Sequence, residues 1–466
     1  MIHDGFRPDF SAEVIAEANT AQPATCPGCK DLRALAWSSI DNTQSRDLDQ
    51  VEWAEKQSDG SIRVLVGIAD VDAVVRLGSK LDENAAFNAT SVYTGGPTFP
   101  MLPERLSTDL TSLKQDADRV AVIIEFHTCS DGDVQGVDVY SALVRNRARL
   151  NYDEVGKWLE GKAPSPASFP VSDEVIAQLR LQYETSQRLI GFRKSHGALT
   201  LGGVENVPLV VNNEVHGFEQ ILQNPARDII ESFMVAANVV MARHLRERRC
   251  LALRRVVRTP KRWDRIQCIA AEHGTKLPDV PDPGALSVFL ATQKQADPDH
   301  FPELSLAVLK SLGPGEYVVE KSGEEREGHF GLAVHDYTHS TAPNRRYADL
   351  VTQRLVKQAC ENGSSISEEE LRKIAEHCND RETAARHVER FMKKVAAAIL
   401  LRNRIGEQFD GIVTGVSPKG TFVRLLTVPA EGRVVHGEHG LDVGQKTRVR
   451  LKSVDVNNGF IDFERV

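Results

Sequence analysis

The sequence predicts an α+β fold followed by a small closed β-barrel of the OB kind, and three observations carry that expectation. Apolar runs bounded by turn residues crowd into residues 51–144, long apolar stretches at helical spacing follow residue 150, and short glycine-punctuated strands fill about the last sixty residues. A chain of 466 residues has material for a large core and roughly two to four domains. The expected division is an N-terminal arm over 1–35, a main domain over 36–405 and the barrel over 406–466.

In chain order, residues 11–18 read as a helical arm. Cys26-Pro27-Gly28-Cys29 has metal-ligand spacing, but a zinc ribbon needs a second such pair. Cys129, Cys250, Cys268, Cys360 and Cys378 supply none, so a plain turn with two thiols is expected. Residues 51–55 and 62–70 read as strands around the turn at Asp59-Gly60. Residues 120–126 and 137–144 form a second pair around Asp131-Gly132-Asp133. Residues 170–191 are a helix candidate. Asn224-Pro225 opens another over 228–241, whose apolar residues give it a broad buried face. Pro281 and Pro283 break the helical run, and 368–404 reads as one long helix or two. Residues 411–416, 420–425, 449–451 and 460–463 are legible strands of a barrel expected to have five.

Composition bounds the function. A net charge of -8 with 41% hydrophobic and 26% charged residues fits a soluble globular protein. It argues against a uniformly basic nucleic-acid binder while leaving room for a local basic channel. With no apolar N-terminal run and no stretch of about 18 apolar residues, neither a secretory signal nor a membrane span is expected. Seven cysteines, an odd number, fit reduced thiols and a cytoplasmic location.

The chemistry concentrates in residues 39–50. Asp41, Asp47 and Asp49 share one parity, so an extended backbone tends to aim them to one side. Asn42, Thr43, Gln44 and Ser45 are turn-formers that can fold the first aspartate back towards the other two. Gathered carboxylates repel unless a cation sits among them, and oxygen donors favour Mg²⁺, or Mn²⁺ as the alternative, over zinc. The competing reading is a polar turn between strands. Further along, Arg345 and Arg346 follow Pro343 and lead into a helix over 348–358, a good phosphate site where guanidinium forks add to backbone N–H groups. The competing reading is a pair of surface arginines. Tyr93 precedes Gly95-Gly96 and either stacks on a base or is a rim aromatic. Arginines at 145–149 and 243–262 either line a channel or cover a solvated helix face. On the barrel, aromatics such as Phe422 suit single-stranded nucleic acid.

Together these motifs resemble the ribonuclease II family of exoribonucleases. Ile40 to Gln50 is similar to its I-D-x-x-x-S-R-D-x-D-D signature. Residues 66–70 with 78–82, 100–103, 328–333, 341–347 and the pair Glu389-Arg390 continue the likeness in order over 36–466. The resemblance implies a catalytic domain of the RNB type, a β-sheet packed with helices around an RNA channel, followed by an S-one-type RNA-binding barrel. It implies a Mg²⁺-dependent hydrolase that shortens single-stranded RNA from its 3′ end to 5′-mononucleotides. Asp41, Asp47 and Asp49 then hold the metal, Tyr93 stacks on the terminal nucleotide, Arg345 clamps the transition state, and Glu389 contacts the terminal nucleotides. Arg346 and Phe422 are further RNA contacts, and a monomer is expected.

Two departures stand out. The family's fourth aspartate is Gln50 here, whose neutral carbonyl can still bind magnesium but removes one negative charge. Family members usually carry two cold-shock domains ahead of the catalytic domain, and this sequence has about 35 residues there. Gln50 keeps open a catalytically weak or inactive family member acting as an RNA-binding regulator. A metal-dependent endonuclease with an open cleft is the other alternative.

Overall fold

Strand alternation and helical spacing resolve into a curled sheet wrapped by helices, with a barrel at the C-terminal end. The computed structural model describes residues 1–466 apart from 203–204, 213, 299, 322, 324–326, 362–365 and 419. The chain begins with α1 (Ala12–Thr20), β1 (Lys30–Asp31), β2 (Trp37–Asp41), β3 (Gln50–Lys56), β4 (Ile62–Ala69) and α2 (Lys80–Asn88). The short pair β5 (Val92–Tyr93) and β6 (Thr98–Phe99) precedes the long strands β7 (Asp118–Thr128) and β8 (Val134–Asn151). Then come α3 (Tyr152–Leu159), α4 (Asp173–Ser195), the hairpin β9 (Glu205–Val211) and β10 (Glu214–Ile221), and α5 (Pro225–Glu247). After β11 (Ala252–Val256) follow α6 (Trp263–Glu272), α7 (Pro283–Ala296), α8 (Phe301–Leu312), β12 (Glu316–Glu320), α9 (Tyr347–Glu361) and α10 (Glu368–Leu401). Strands β13 (Gln408–Ser417), β14 (Gly420–Leu425), β15 (Glu431–His436), β16 (Lys446–Asp455) and β17 (Phe460–Arg465) close into a barrel.

The main sheet closes on itself. β7 pairs with β4, β4 with β3, β3 with β2, β2 with β8, and β8 returns to β7. Such a ring leaves β4 covered on both sides, and Ile62, Val64, Leu65, Val66 and Ile68 are all essentially inaccessible. β2 lies between β3 and β8, so its last residue, Asp41, is delivered at the rim of a rigid sheet. β2 shows little periodic signal: it is five residues long, with serines at two buried positions. β8 runs far past the expected 137–144. Its side chains alternate to the end, with Val144, Asn146, Ala148 and Leu150 buried and Arg145, Arg147 and Arg149 on the other face. Basic density there is the outward edge of a strand. Asn146 earns its core position by donating to Ser39 Oγ (2.9 Å) and Leu113 O (3.0 Å).

α5 begins where Asn224 caps it, accepting from the N–H groups of Ala226 and Arg227 at 3.0 Å, with Pro225 in its first turn. Phe233, Ala237, Val240, Met241 and Leu245 join the sheet's core. Ile229 and Ile230 join a second core with Ile40 of β2, Val155 of α3 and Leu179 of α4. Pro283 marks a helix start: α7 begins at it, with the Asp282 side chain capping Gly284 and Ala285. Residues 368–401 form one helix, opened by a capping box between Ser367 and Glu370. The barrel has its own core, which Ala397, Ala398 and Leu401 of α10 enter. Among the described residues no helix is long and apolar enough to cross a membrane.

A buried ionic brace fixes α9 against the sheet. Arg354 donates to Asp72 (2.9 Å), Asp82 (2.7 Å) and the carbonyl of Val75 (2.8 Å), and Lys357 reaches Asp70 (2.5 Å). Such a cluster costs desolvation, which the convergent bonds offset, and it sets the position of the segment that leads into α9.

His244 of α5 is buried, and its Nε2 has no hydrogen-bond partner. Burial, and then the Arg248 charge, lower its pKa from 6.5 to about 4. The unfolded chain takes up this proton first as pH falls, so neutral His244 contributes stability above about pH 6.5 that is lost on the way down through about 4, on the order of 2–3 kcal/mol. His244→Leu is therefore expected to flatten the acid limb. The difference in urea unfolding free energy between neutral and mildly acidic buffer should shrink by about 2 kcal/mol, and an unchanged difference would clear His244 of the effect.

Candidate active site

The loop between β2 and β3 is a held structure. Asn42 N–H donates to Asp41 Oδ1 at 2.8 Å, and Ser45 N–H closes a turn onto Asn42 O at 3.0 Å. From β8, Arg149 donates to the carbonyls of Thr43 (3.0 Å) and Ser45 (2.5 Å). The Ser112 hydroxyl donates to Arg46 O (2.9 Å) and accepts from Leu48 N–H (3.1 Å). Leu48 is buried as the loop's apolar anchor. Three aspartates are thus presented from a fixed backbone: Asp41 and Asp47 partly exposed, and Asp49 at 1% exposure.

Asp49 joins two distant parts of the chain. Its Oδ1 accepts from the backbone N–H (3.1 Å) and side-chain amide (2.9 Å) of Asn344, 295 positions away. Thr111 donates in turn to Asn344 Oδ1 at 2.5 Å. Asp49 Oδ2 makes no hydrogen bond, and Arg345 Nε lies 3.6 Å from it. Burial pushes the Asp49 carboxyl up to about 7 against the pull of Arg345, with Asp47 adding to the rise. Burial likewise raises Asp47, again opposed by Arg345. Arg345 therefore faces the acids, and its side chain is 48% exposed. Its neighbour differs: both branches of the Arg346 fork are engaged by Asp349, at 2.8 and 2.7 Å. Asn344 falls within the likeness at 341–347, but an asparagine after a proline reads as a turn residue and carries no signal of this role.

The same segment carries Tyr93. Ser91 N–H donates to Arg345 O (2.9 Å) and Tyr347 N–H to Ala89 O (2.8 Å), so residues 89–93 run beside 345–347. Tyr93 is 41% exposed, and its backbone N–H donates to Glu389 Oε1 of α10 at 3.1 Å. On the other side the tip of this hairpin meets the β9–β10 hairpin. Gly95 has φ +81°, and a Cβ there would sit 2.7 Å from Pro208. The N-terminal arm supports the hairpin: Phe6 packs with Val92, Ala385 and Val388, while Arg381 donates to the carbonyls of Asp4 and Gly5 at 3.0 Å. Asp41, Asp47, Asp49, Arg345, Tyr93 and Glu389 thus belong to one connected cluster.

Two sets of residues stand apart. Phe422 is half-buried on β14 of the barrel and takes no part in the bonds tying this cluster. Half of the eight arginines at 243–262 pair with acids: Arg246 and Arg254 with Asp336, Arg255 with Glu382, and Arg258 with Glu327. Cys26 and Cys29 form a turn with Gly28 at φ +82° and are free thiols.

The donor set around the loop is oxygen only. Among the described residues no three His, Cys, Asp or Glu side chains converge closely enough to hold an ion by themselves. Together with the unbonded Asp49 Oδ2, that suits a hard cation that keeps much of its water and is held by one or two carboxylates and a substrate phosphate. Gln50 is buried on β3.

The RNB domain model matches residues 29–362, and the model of the RNase II-type exonuclease C-terminal S1 domain matches 407–466. Ribonuclease R 1 of Lactococcus lactis is 29% identical over 494 aligned positions, covering 98% of this chain and 59% of its own. Ribonuclease R of Escherichia coli is 29% identical, over 94% of this chain and 57% of its own. The chain therefore spans rather more than half the length of these relatives. The structure of Mycoplasma genitalium RNase R in complex with ribose methylated single-stranded RNA superposes with a TM-score of 0.92. It is 24% identical and covers 100% of this chain and 77% of that one, a likeness of fold.

Asn344→Ala leaves Asp49 Oδ1 with one backbone donor, and the Thr111 hydroxyl falls back on the carbonyl of Leu106 at 2.8 Å. The expected cost is about 2 kcal/mol in the free energy of unfolding, read from the urea midpoint. Asn344→Asp should cost more at neutral pH, because a second carboxylate then faces Asp49, and the excess should fade as the pH is lowered. A midpoint unmoved by either substitution would mean that the joint contributes nothing.

Proposed function

The chain belongs to the RNB-domain family, and on that premise we propose that it shortens single-stranded RNA from the 3′ end by metal-assisted hydrolysis, releasing 5′-mononucleotides. The joint between Asp49, Asn344 and Arg345 carries this reading. It sets a half-exposed guanidinium beside the buried Asp49 carboxylate on braced backbone, the pairing that phosphodiester hydrolysis requires. A phosphodiester is a poor electrophile whose attack builds negative charge on the non-bridging oxygens.

Mg²⁺, or Mn²⁺ in its place, supplies a Lewis acid and an acidified water when bound. Asp41, Asp47 and Asp49 would hold it, one or two of them directly and the rest through its water, with Gln50 offering a neutral carbonyl oxygen. Arg345 neutralises the charge that develops on the phosphate, a role worth on the order of 10³-fold or more in related phosphoryl transfers. Arg346, held by Asp349, positions its neighbour along the RNA backbone. The exposed ring of Tyr93 stacks on the 3′-terminal base. Glu389 fixes the Tyr93 backbone and contacts the terminal nucleotides. The barrel, with Phe422, takes the strand upstream. One chain carries every member of this cluster, so a monomer suffices.

With 5′-labelled single-stranded RNA and Mg²⁺, the expected product is a ladder shrinking from the 3′ end in single-nucleotide steps, abolished by EDTA. Discrete internal cuts, or binding without cleavage, would sink the reading. Asp49→Asn should lower cleavage by roughly 10³-fold or more, and Arg345→Ala by a comparable factor. Asp49→Asn should leave RNA affinity in a filter-binding assay within a few fold, and loss of both properties would mark Asp49 as structural.

A further inference from the structure

Glu52 lies on β3 two residues beyond Gln50, so both side chains leave the strand on the same face. It is 0% exposed, and neither of its carboxylate oxygens has a hydrogen-bond partner. Its backbone opposes Ser38 of β2, the strand that ends in Asp41; burial pushes its carboxyl well above the usual carboxylate range, and the Asp41 charge adds to the rise. Burial pushes the Tyr152 hydroxyl up, and the charges of Asp41 and then Glu52 add to the rise. Arg227, stacked over the Tyr152 ring at 4.3 Å, reaches Asn42 and makes no ion pair with Glu52 among the described residues.

Among the described residues nothing explains a carboxyl group in that position. Ionised, it needs a cation or several N–H donors; protonated, it still buries an O–H with no acceptor. The described protein groups supply neither. The loop, meanwhile, is one carboxylate short of the family pattern at position 50, on the same face of the same strand.

We infer that Glu52 is a member of the cation site with Asp41 and supplies the negative charge that Gln50 lacks, so that the fourth acid has moved two residues along β3. The inference rests on the metal-assisted reading above. It gives the buried carboxylate a counter-ion and Gln50 a compensating partner, and it makes the divalent cation part of what allows Glu52 to be buried.

Mn²⁺ uptake by the full chain without RNA, measured by the electron paramagnetic resonance of free Mn²⁺, tests this apart from activity. Glu52→Gln is expected to weaken Mn²⁺ binding by roughly tenfold or more, and to shrink the rise in melting temperature that Mn²⁺ gives the wild type. In EDTA it should melt no lower than the wild type. Adding Gln50→Asp to Glu52→Gln returns the acid to position 50 and should restore affinity to within a few fold. Should Glu52→Gln not fold, Glu52→Asp keeps the charge one methylene short and should weaken Mn²⁺ binding measurably. Wild-type affinity in a folded variant overturns the inference while leaving the exoribonuclease reading intact, since the RNA ladder tests that separately. A wild type that takes up no Mn²⁺ at millimolar concentration overturns it as well, and cleavage that persists in EDTA overturns both.

Discussion

A carboxylate out of reach of water is the constraint on which the rest of the molecule depends. Asp49 can be buried at the head of β3 because Asn344 offers it two donors and Arg345 a nearby positive charge. Each partner belongs to a segment that has to be carried across the molecule to meet it. The closed sheet fixes the acid side through β2, β3 and the Arg149 clamp on the loop. The α9 side is fixed by Arg354 and Lys357 against the aspartates that follow β4. With either side loosened, Asp49 would keep its desolvation and lose its compensation, so the two halves are energetically coupled through one residue.

That coupling explains why so much charge is spent inside this chain. Arg246 of α5 and Arg254 of β11 bind Asp336, Arg255 of β11 binds Glu382, and Arg346 binds Asp349. These contacts hold segments in register. Arg345 is the different one: half-exposed, opposite carboxylates that do not close on it at hydrogen-bond distance. An acidic protein can therefore present a cation to an anionic strand without a basic surface, because position matters more than the total.

The fold class, the barrel, both hairpins of the main sheet and the long helices were legible because their periodicity is strong. The spacing of Asp41, Asp47 and Asp49 was legible as well. What stayed hidden was hidden for physical reasons. β2 is too short and too polar to show as a strand, yet as the middle of a sheet it needs no apolar signal. β15 and the β9–β10 hairpin carry glycines and charges where alternation would be read. The continuation of β8 was masked by outward arginines that read as basic density. No local pattern marks Asn344 or Glu52: the importance of each comes from what lies opposite, and that is decided by chain segments far away in sequence.

Tyr93 takes its backbone restraint from Glu389, and Glu389 stands on the helix whose last turns are built into the barrel core through Ala397, Ala398 and Leu401. In mechanical terms α10 is a push-rod. From Glu389 to Leu401 it spans roughly 18 Å at the helical rise, with no loop between them to absorb strain. A strand gripped by the barrel and pulled taut would load that rod along its length, and the load would arrive at the backbone of the tyrosine. On the proposed reading, tension in a bound strand and the seating of Tyr93 would be linked through one continuous helix.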